Sequence, residues 1–220
     1  QTGRRVFDDL VAVPGLTTVA GVRDSAKAEK SLGAGIATVK MDVSKDSTDD
    51  LATALRGADA VVCAVGFVPG NPFQMNKEAK AVDNEGTCRL IDAAVKAGCS
   101  KFVLVSSILT DGRSWGQEKS PGFTITNAFG GVLDEKIVAE RYLRRSGLDY
   151  TIVRPGGLRA DPPAGNLVVR GENTLNSGEV SRDLVAQVCV SALFNPKASD
   201  RVVEIIEEDG APALPEEKWF

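Results

Sequence analysis

Six short apolar runs, rich in valine, isoleucine and threonine, are distributed along the chain and are bounded by polar or turn-forming residues. Most of these runs do not alternate between apolar and polar positions, which is typical of strands that are covered on both faces of a sheet. The pattern predicts six strands, at 17–22, 36–41, 58–65, 101–108, 149–155 and 201–206.

Helical periodicity fills intervals between these runs. The predicted inward faces carry Val6, Leu10 and Val13 in a first helix over 2–13; Thr87, Ile91 and Ala94 in a helix that stops at Gly98; Leu133, Ile137 and Tyr142 in a helix that ends at Gly147; and Leu184, Val188 and Ala192 in a helix capped by Ser181. Strands that alternate with helices indicate βαβ units. We therefore expect a single α/β domain over 1–220, with a doubly wound parallel sheet and helices on both faces.

The chain opens on a helix rather than on a strand. In a doubly wound sheet the first strand is central, so its loss would leave backbone groups of both neighbours unpaired, at about 1–3 kcal/mol each. We therefore expect that the first strand of this fold lies outside the sequence, and that a gap separates the strand at 17–22 from the strand at 58–65.

The amino-acid composition excludes several kinds of partner and catalytic site. The 220 residues are 43% hydrophobic and 25% charged, as in ordinary globular proteins, and the net charge of −4 argues against a nucleic-acid partner. There is no histidine, which excludes Ser-His-Asp triads, Cys-His pairs and His-ligated zinc. The four cysteines form no Cys-x-x-Cys pair and are expected to be reduced core residues, so no metal site is predicted. No apolar run reaches the roughly 18 residues of a membrane span.

Short motifs occur in a fixed order, several of them directly after predicted strands. They are Gln1-Thr2-Gly3-Arg4-Arg5, Val22-Arg23-Asp24, Met41-Asp42-Val43, Ala64-Val65-Gly66, Val82-Asp83-Asn84-Glu85-Gly86-Thr87, Leu104-Val105-Ser106-Ser107, Lys136 with Ala139-Glu140, and Tyr150-Thr151-Ile152-Val153-Arg154-Pro155-Gly156-Gly157-Leu158. Together they resemble the atypical short-chain dehydrogenase/reductases, the NmrA-like NAD(P)-binding family. The run SGLDYTIVRPGGLRADPPAGN is similar to members from chloroplasts of plants and algae. The resemblance implies a Rossmann-type fold, a nicotinamide dinucleotide as ligand, and a place in the chloroplast stroma or on the stromal face of a membrane.

The resemblance also implies where each part of the nucleotide lies. Thr2, Gly3 and Arg4 belong to the turn whose glycines let the backbone approach a pyrophosphate at a helix N-terminus. Arg23 follows a predicted strand, 20 residues after Gly3, where an arginine accommodates the 2′-phosphate of NADP and an acidic residue binds the ribose of NAD. The adjacent Asp24 makes the choice between the two nucleotides less distinct, but we interpret Asp24 as the N-cap of the next helix. Arg23 could also be a surface arginine. We predict NADP, with NAD as the alternative.

The remaining predicted cofactor contacts are Asp42 and Val43 at the adenine, Ala64 and Gly66 at the ribose, Ser106 at the nicotinamide, Lys136 at the nicotinamide ribose, and Pro155 and Gly156 beside the nicotinamide. Each residue type also has a purely structural interpretation. The aspartate could cap the next segment, the small residues could serve close packing, a strand-end serine could bind backbone, and the lysine could be a surface residue.

One position departs from the family pattern. Standard members place a tyrosine four residues before the lysine, so that both lie on one helix face and the tyrosine donates a proton. Here that position is Val132, and Tyr142 lies six residues after Lys136. We therefore expect weak carbonyl reduction or none.

Two hypotheses remain. The first is an NADP-dependent oxidoreductase whose acid is Ser107 or a group of the substrate. The second is a non-catalytic nucleotide-binding scaffold, assembly factor or subunit of a chloroplast membrane complex. The 109–130 stretch is long for a loop, and loops of that length are usually functional. It could be a lid over a substrate or an anchor for a partner protein.

Overall fold

The computed structural model describes residues 1–33 and 35–220, in which helices and strands alternate through most of the chain. The strands are β1 (Ala20–Val22), β2 (Thr38–Lys40), β3 (Ala60–Cys63), β4 (Lys101–Val105), β5 (Asp149–Pro155), β6 (Gly157–Arg159), β7 (Asn166–Arg170), β8 (Glu179–Ser181) and β9 (Arg201–Glu208). The helices are α1 (Thr2–Val11), α2 (Ser25–Leu32), α3 (Thr48–Ala54), α4 (Met75–Ala79), α5 (Thr87–Ala97), α6 (Pro121–Asn127), α7 (Val132–Leu143) and α8 (Arg182–Phe194), with a π-helix at Lys80–Gly86 between α4 and α5.

The main sheet has five strands in the order β3-β4-β5-β9-β7. Its first four strands are parallel, and β7 runs antiparallel to β9 at the edge. The predicted α/β fold is confirmed, and each of the six predicted strands corresponds to an observed one. The pattern missed β6, β7 and β8. Strands β6 and β8 have only three residues each, so they show no period, and tertiary pairing alone creates them.

Strands β1 and β2 form a separate parallel pair. Within the described residues β1 does not pair with β3, the edge strand of the main sheet, so the sheet is interrupted between these two strands. The interruption lies where the sequence predicts a gap. That a further strand fills it remains a prediction.

The central strands are covered on both faces. Val103, Val105 and Val153 point into a core formed with α1 and α8. Phe102 and Ile152 point to the opposite face, toward α5 and α7. Because both faces are buried, every residue of β4 is apolar or paired, which explains why its sequence lacks a period of two.

Two details of the predicted helices are wrong. Helix α1 ends at Val11 rather than at position 13. In α7, Tyr142 lies on the exposed face and donates a hydrogen bond to Asp92, whereas Glu140 is fully buried. The period of apolar positions does not identify the inward face of α7, because the polar Glu140 lies on that face. Its burial is possible only because side chains from other elements pair with it.

The 109–130 stretch is not the long loop that the sequence suggests. It contains a 3₁₀ turn at Gly112–Trp115 and helix α6, which Ser120 caps. Phe123 of α6 packs with Leu109 and Leu133 in a small core of its own. The stretch is therefore a packed subdomain rather than a free lid.

The four cysteines are unpaired in the described residues, as expected, and three of them are buried. Burial raises the pKa of the Cys189 thiol to about 12, so it is unreactive at neutral pH. Across 1–33 and 35–220, no helix combines the length and apolarity that crossing a bilayer requires.

Candidate functional site

A cavity of about 1380 Å³ lies along the carboxyl ends of β1 to β5 and continues into the interruption between β1 and β3. This volume exceeds the roughly 300–1,000 Å³ of ordinary small-molecule pockets because it includes the interruption of the sheet. All of the predicted site residues line it: Thr2, Gly3, Arg4, Arg23, Asp42, Val43, Ala64, Gly66, Ser106, Ser107, Lys136, Pro155 and Gly156. Parallel strands bring their carboxyl ends to one edge, which explains why motifs far apart in the chain meet there.

One wall of the cavity is the N-terminus of α1. Gln1 supplies no side-chain cap, and the first backbone N–H of this helix with a backbone acceptor is that of Arg5. A Cβ placed on Gly3 would lie 3.6 Å from the Cβ of Ala64, so this glycine sits against the end of β3. The amides before Arg5 and the positive end of the helix dipole form a site that suits an anion.

Arg4 also lines this wall. Its guanidinium is 2.6 Å from Asp8 one helical turn later and also donates to the carbonyl of Ser31. The side chain is therefore already paired, and the charge available at the helix end is mainly that of the dipole.

Arg23 lines the cavity at the end of β1, together with Ser44 and Lys45. It is exposed, and the described residues offer its guanidinium no carboxylate within 4.0 Å. The neighbouring Asp24 accepts a hydrogen bond from the amide of Lys27 at 3.0 Å and caps α2, as predicted. Arg23 thus remains available to an anionic ligand, whereas Asp24 is committed to the helix.

Asp42 has a local structural role as well as a place on the cavity wall. Its Oδ1 accepts hydrogen bonds from the hydroxyl of Ser44 at 2.6 Å and from the amide of Ser44 at 3.1 Å. Although partial burial opposes ionisation, these donors and the charges of Lys45 and Arg23 hold the pKa of Asp42 below its ordinary value. The carboxylate of Asp42 therefore stabilises the turn that follows β2, which is close to the alternative interpretation that this aspartate caps the next segment.

At the other end of the cavity, Lys136 of α7 forms an ion pair that the sequence did not indicate. Its Nζ lies 2.7 Å from Oδ1 of Asp83, whose side chain is 0% exposed. The second oxygen of Asp83 accepts the amide N–H of Phe67 at 3.0 Å. A Cβ on Gly66 would lie 3.9 Å from the lysine nitrogen, so the ammonium stands directly beside the loop that follows β3.

The π-helix between α4 and α5 presents Asp83 to Lys136. Single π-helical turns inside α-helices occur frequently at functional sites. Gly86 ends this turn in close contact with the backbone, since a Cβ there would lie 2.7 Å from the carbonyl oxygen of Val43. The motif around Asp83 was visible in the sequence, but its partner is 53 residues away and only the fold joins them.

The two strand-end serines have different surroundings. Ser106 is buried and donates to Oε1 of Glu140 at 2.5 Å. Glu140 lies one helical turn after Lys136 on the same face of α7. Ser107 is only partly buried, and among the described residues its hydroxyl makes no hydrogen bond. The sequence signalled both serines, but it gave no sign of Glu140 as a partner.

Val132 lines the cavity one turn before Lys136 and carries no ionisable group. Neither of the two tyrosines of the sequence is among the described residues that form the cavity wall. A hydrogen bond to Asp92 raises the pKa of Tyr142, which lies on the outer surface of α7. The described residues also contain no cluster of metal ligands.

The shape and donors of this cavity fit a dinucleotide. Gly3 and Gly66 leave its walls open where a side chain would narrow them, and the α1 amides suit a pyrophosphate. Arg23 and Lys45 stand at one end of the cavity and Lys136 at the other. The residues present could therefore hold NAD(P), with Arg23 at one end and Lys136 at the other.

Comparison with known proteins agrees with this geometry. A family model described as NAD(P)H-binding matches residues 1–196. The chloroplast protein At2g34460 of Arabidopsis thaliana is 46% identical over 96% of this chain and 75% of its own length. Protein TIC 62 of pea, also chloroplastic, is 33% identical over 99% of this chain, which spans only 43% of the length of that relative.

Among solved structures, ChuY of Escherichia coli O157:H7, described as an anaerobilin reductase, superimposes with a TM-score of 0.74 at 29% identity, over 96% of this chain and 94% of its own. Sequence and fold therefore lead to the same family, and the predicted resemblance to chloroplast members is confirmed. This chain belongs to the NAD(P)H-binding family, as a Rossmann-fold protein of the atypical, NmrA-like short-chain dehydrogenase/reductase type.

Proposed function

We propose that this protein binds NADP(H) in the cavity at the carboxyl ends of its strands, within a plastid. The observation that carries the proposal is that one cavity joins three features: a helix N-terminus without a side-chain cap, an arginine that has no carboxylate partner within 1–33 and 35–220, and a lysine held by a buried aspartate. In this arrangement Arg23 binds the 2′-phosphate, the amides of Thr2 to Arg4 bind the pyrophosphate, and Lys136 binds the nicotinamide ribose.

The preference for NADP over NAD rests on Arg23. A guanidinium binds a phosphate bidentately, which is stronger than a neutral hydrogen bond. In the full-length protein, Arg23→Ala should weaken the binding of NADPH by about 1.5–3 kcal/mol, roughly ten- to a hundredfold, and leave the binding of NADH almost unchanged. Titration calorimetry with both nucleotides measures this. Arg170→Ala, at an exposed arginine outside the cavity wall, is the control. Equal losses for both nucleotides in Arg23→Ala would contradict the role of Arg23.

NADPH, when bound, would supply a hydride, and a residue of the protein or a group of the substrate would have to donate the proton. Val132 provides none, so we assign the role of a weak acid to Ser107, whose hydroxyl makes no hydrogen bond among the described residues. A general acid is typically worth about 10²–10⁴-fold in rate, so turnover with simple carbonyl compounds should be slow. The name of ChuY favours a reductase role for this cavity. NADPH oxidation with a panel of carbonyl compounds tests it, and rapid turnover would contradict the assignment.

The second candidate is a nucleotide-binding scaffold that holds a partner through residues 109–130, at the stromal face of a membrane or in the stroma. Ile125 of α6 is 65% exposed and Phe129 is also exposed, although Leu109 and Phe123 of the same stretch are buried. Their substitution by Ser should leave nucleotide binding intact and release a co-purified partner. A full-length protein that binds NADPH without oxidising it would favour the scaffold.

We also infer that one further parallel strand lies between β1 and β3 in the functional protein. The support is the interruption of the sheet, since in the part of the chain that the structure describes each of these strands pairs on one side only. Amide hydrogen exchange in the full-length protein tests it. The amides of β1 and β3 that point away from β2 and β4 should be protected, and rapid exchange at both edges would contradict the inference.

A further inference from the structure

A cluster of buried charges lies behind Ser106, at the end of the cavity that holds Lys136. The side chains of Arg154 on β5, Glu140 on α7 and Glu204 on β9 are all 0% exposed. Arg154 donates to Glu140 at 2.6 Å and contacts Glu204 at 3.3 Å. Buried charges are retained only where they are paired and hydrogen-bonded, so these three side chains form one unit.

Glu140 acts only as an acceptor in this unit. It accepts hydrogen bonds from Ser106 at 2.5 Å, from Thr110 at 2.9 Å and from the guanidinium of Arg154. Because a guanidinium has donors and no acceptor, it keeps the carboxylate in its accepting role. The single hydroxyl proton of Ser106 is therefore directed at Glu140 and away from the cavity.

Glu204 keeps Arg154 in place. Its two oxygens also accept the backbone amides of Asn173, Thr174 and Leu175, at 2.7–2.9 Å. Although burial opposes the charge, Glu140, Glu172 and Glu204 raise the pKa of Arg154 above its ordinary value. Because Arg154 is held by Glu204 and donates to both oxygens of Glu140, the carboxylate presents only an acceptor to Ser106.

We propose that Glu140 is a positioning residue that fixes Ser106 as a pure hydrogen-bond acceptor toward the cavity, and that Ser106 thereby selects a ligand group that donates. The donor is the carboxamide N–H of the nicotinamide ring, because the other end of the cavity carries the anion-binding residues. The inference rests on the proposed nucleotide binding. The two serines then have different roles: Ser106 accepts a hydrogen bond from the cofactor, whereas Ser107 donates its hydroxyl proton to a substrate.

The test compares NADPH with its 3-acetylpyridine analogue, in which a methyl group replaces the amide NH₂ and the carbonyl acceptor remains. One neutral hydrogen bond predicts that the wild-type full-length protein binds NADPH about 3- to 10-fold more tightly than the analogue. Ser106→Ala should weaken NADPH by this factor, leave the affinity for the analogue unchanged, and so remove the preference.

Thr110→Val is the matched control. It removes a hydrogen bond to the same carboxylate, but Thr110 is not among the described residues that line the cavity. The preference for NADPH should survive in this variant even if stability falls. In Glu140→Gln the amide can donate to Ser106, which frees the hydroxyl proton to turn toward the cavity. The ratio of the two affinities should then fall toward one or reverse.

The ratio of affinities separates this role from a purely structural one, because loss of stability lowers binding of both nucleotides together. Equal wild-type affinities for NADPH and the analogue, or an unchanged ratio in Ser106→Ala, would overturn the inference and leave the proposed nucleotide binding standing. If the wild-type protein binds neither nucleotide, the proposed function falls as well. Should Glu140→Gln fail to fold, Ser106→Ala and Thr110→Val still decide.

Discussion

Replacing Lys136 by methionine removes the positive charge from a nearly buried ion pair while keeping the length of the side chain. Asp83, its partner, would remain fully buried with the amide of Phe67 as its one donor among the described residues. Breaking a buried pair costs about 3–5 kcal/mol, because the remaining charge is left uncompensated. Since the side chain of Lys136 is 18% exposed, solvent offsets part of this, and we expect a loss of about 2–4 kcal/mol in unfolding free energy.

Urea denaturation of the full-length protein without nucleotide measures this loss. The control is Lys96→Met, which breaks an ion pair with Asp49 whose side chains are 58% and 76% exposed, and it should cost less than about 1 kcal/mol. In the double variant Asp83→Asn/Lys136→Met neither position of this ion pair carries a charge, so most of the stability should return. The two changes should therefore couple by about 2 kcal/mol.

Lys136→Met should also weaken the binding of NADPH by roughly 1–3 kcal/mol, the range for hydrogen bonds to charged groups. Strictly additive effects on stability, or equal costs for Lys136→Met and Lys96→Met, would refute the account of Asp83. Brisk NADPH-dependent turnover that disappears in Lys136→Met while binding survives would show instead that Lys136 is catalytic.

Two further predictions separate binding from folding. In Gly3→Ala the new Cβ would meet Ala64 at an ordinary 3.6 Å, so the free energy of unfolding should not fall. NADPH binding measured by calorimetry should be lost, because the methyl group would narrow the wall on which the pyrophosphate lies; intact binding would place the pyrophosphate elsewhere. Although burial opposes ionisation, the amides of Ala164, Ser181 and Gly165 and the guanidinium of Arg159 lower the pKa of Glu207, so ionised Glu207 stabilises the fold above its ordinary pKa of 4.5 and this contribution is lost as the pH falls through and below that value. Glu207→Gln should therefore flatten the decline of unfolding free energy between pH 7 and about pH 3, and an unchanged slope would contradict this.

The fold class and the location of the cavity could be predicted from local sequence. Continuous apolar runs such as that of β4 indicate strands covered on both faces, and alternation with helices implies parallel order. Parallel order in turn places every strand-end motif at one edge, so the sequence could assign Gly3, Arg23 and Lys136 to a single cavity. The fold class and the common edge depend only on periodicity and chain direction, whereas the assignment of Gly3, Arg23 and Lys136 to the site also used the resemblance of their motifs to a known family.

The partners of those residues were decided by tertiary structure alone. Asp83 and Glu140 look like ordinary polar positions of helical segments, and the period of α7 even suggests Tyr142 for the inward face. They are buried because Lys136 and Arg154 reach them from other elements, and the free energy of burying a charge depends on that pairing. A sequence carries the spacing along one helix, but the pairing of charges across elements exists only once the sheet has brought the helices together.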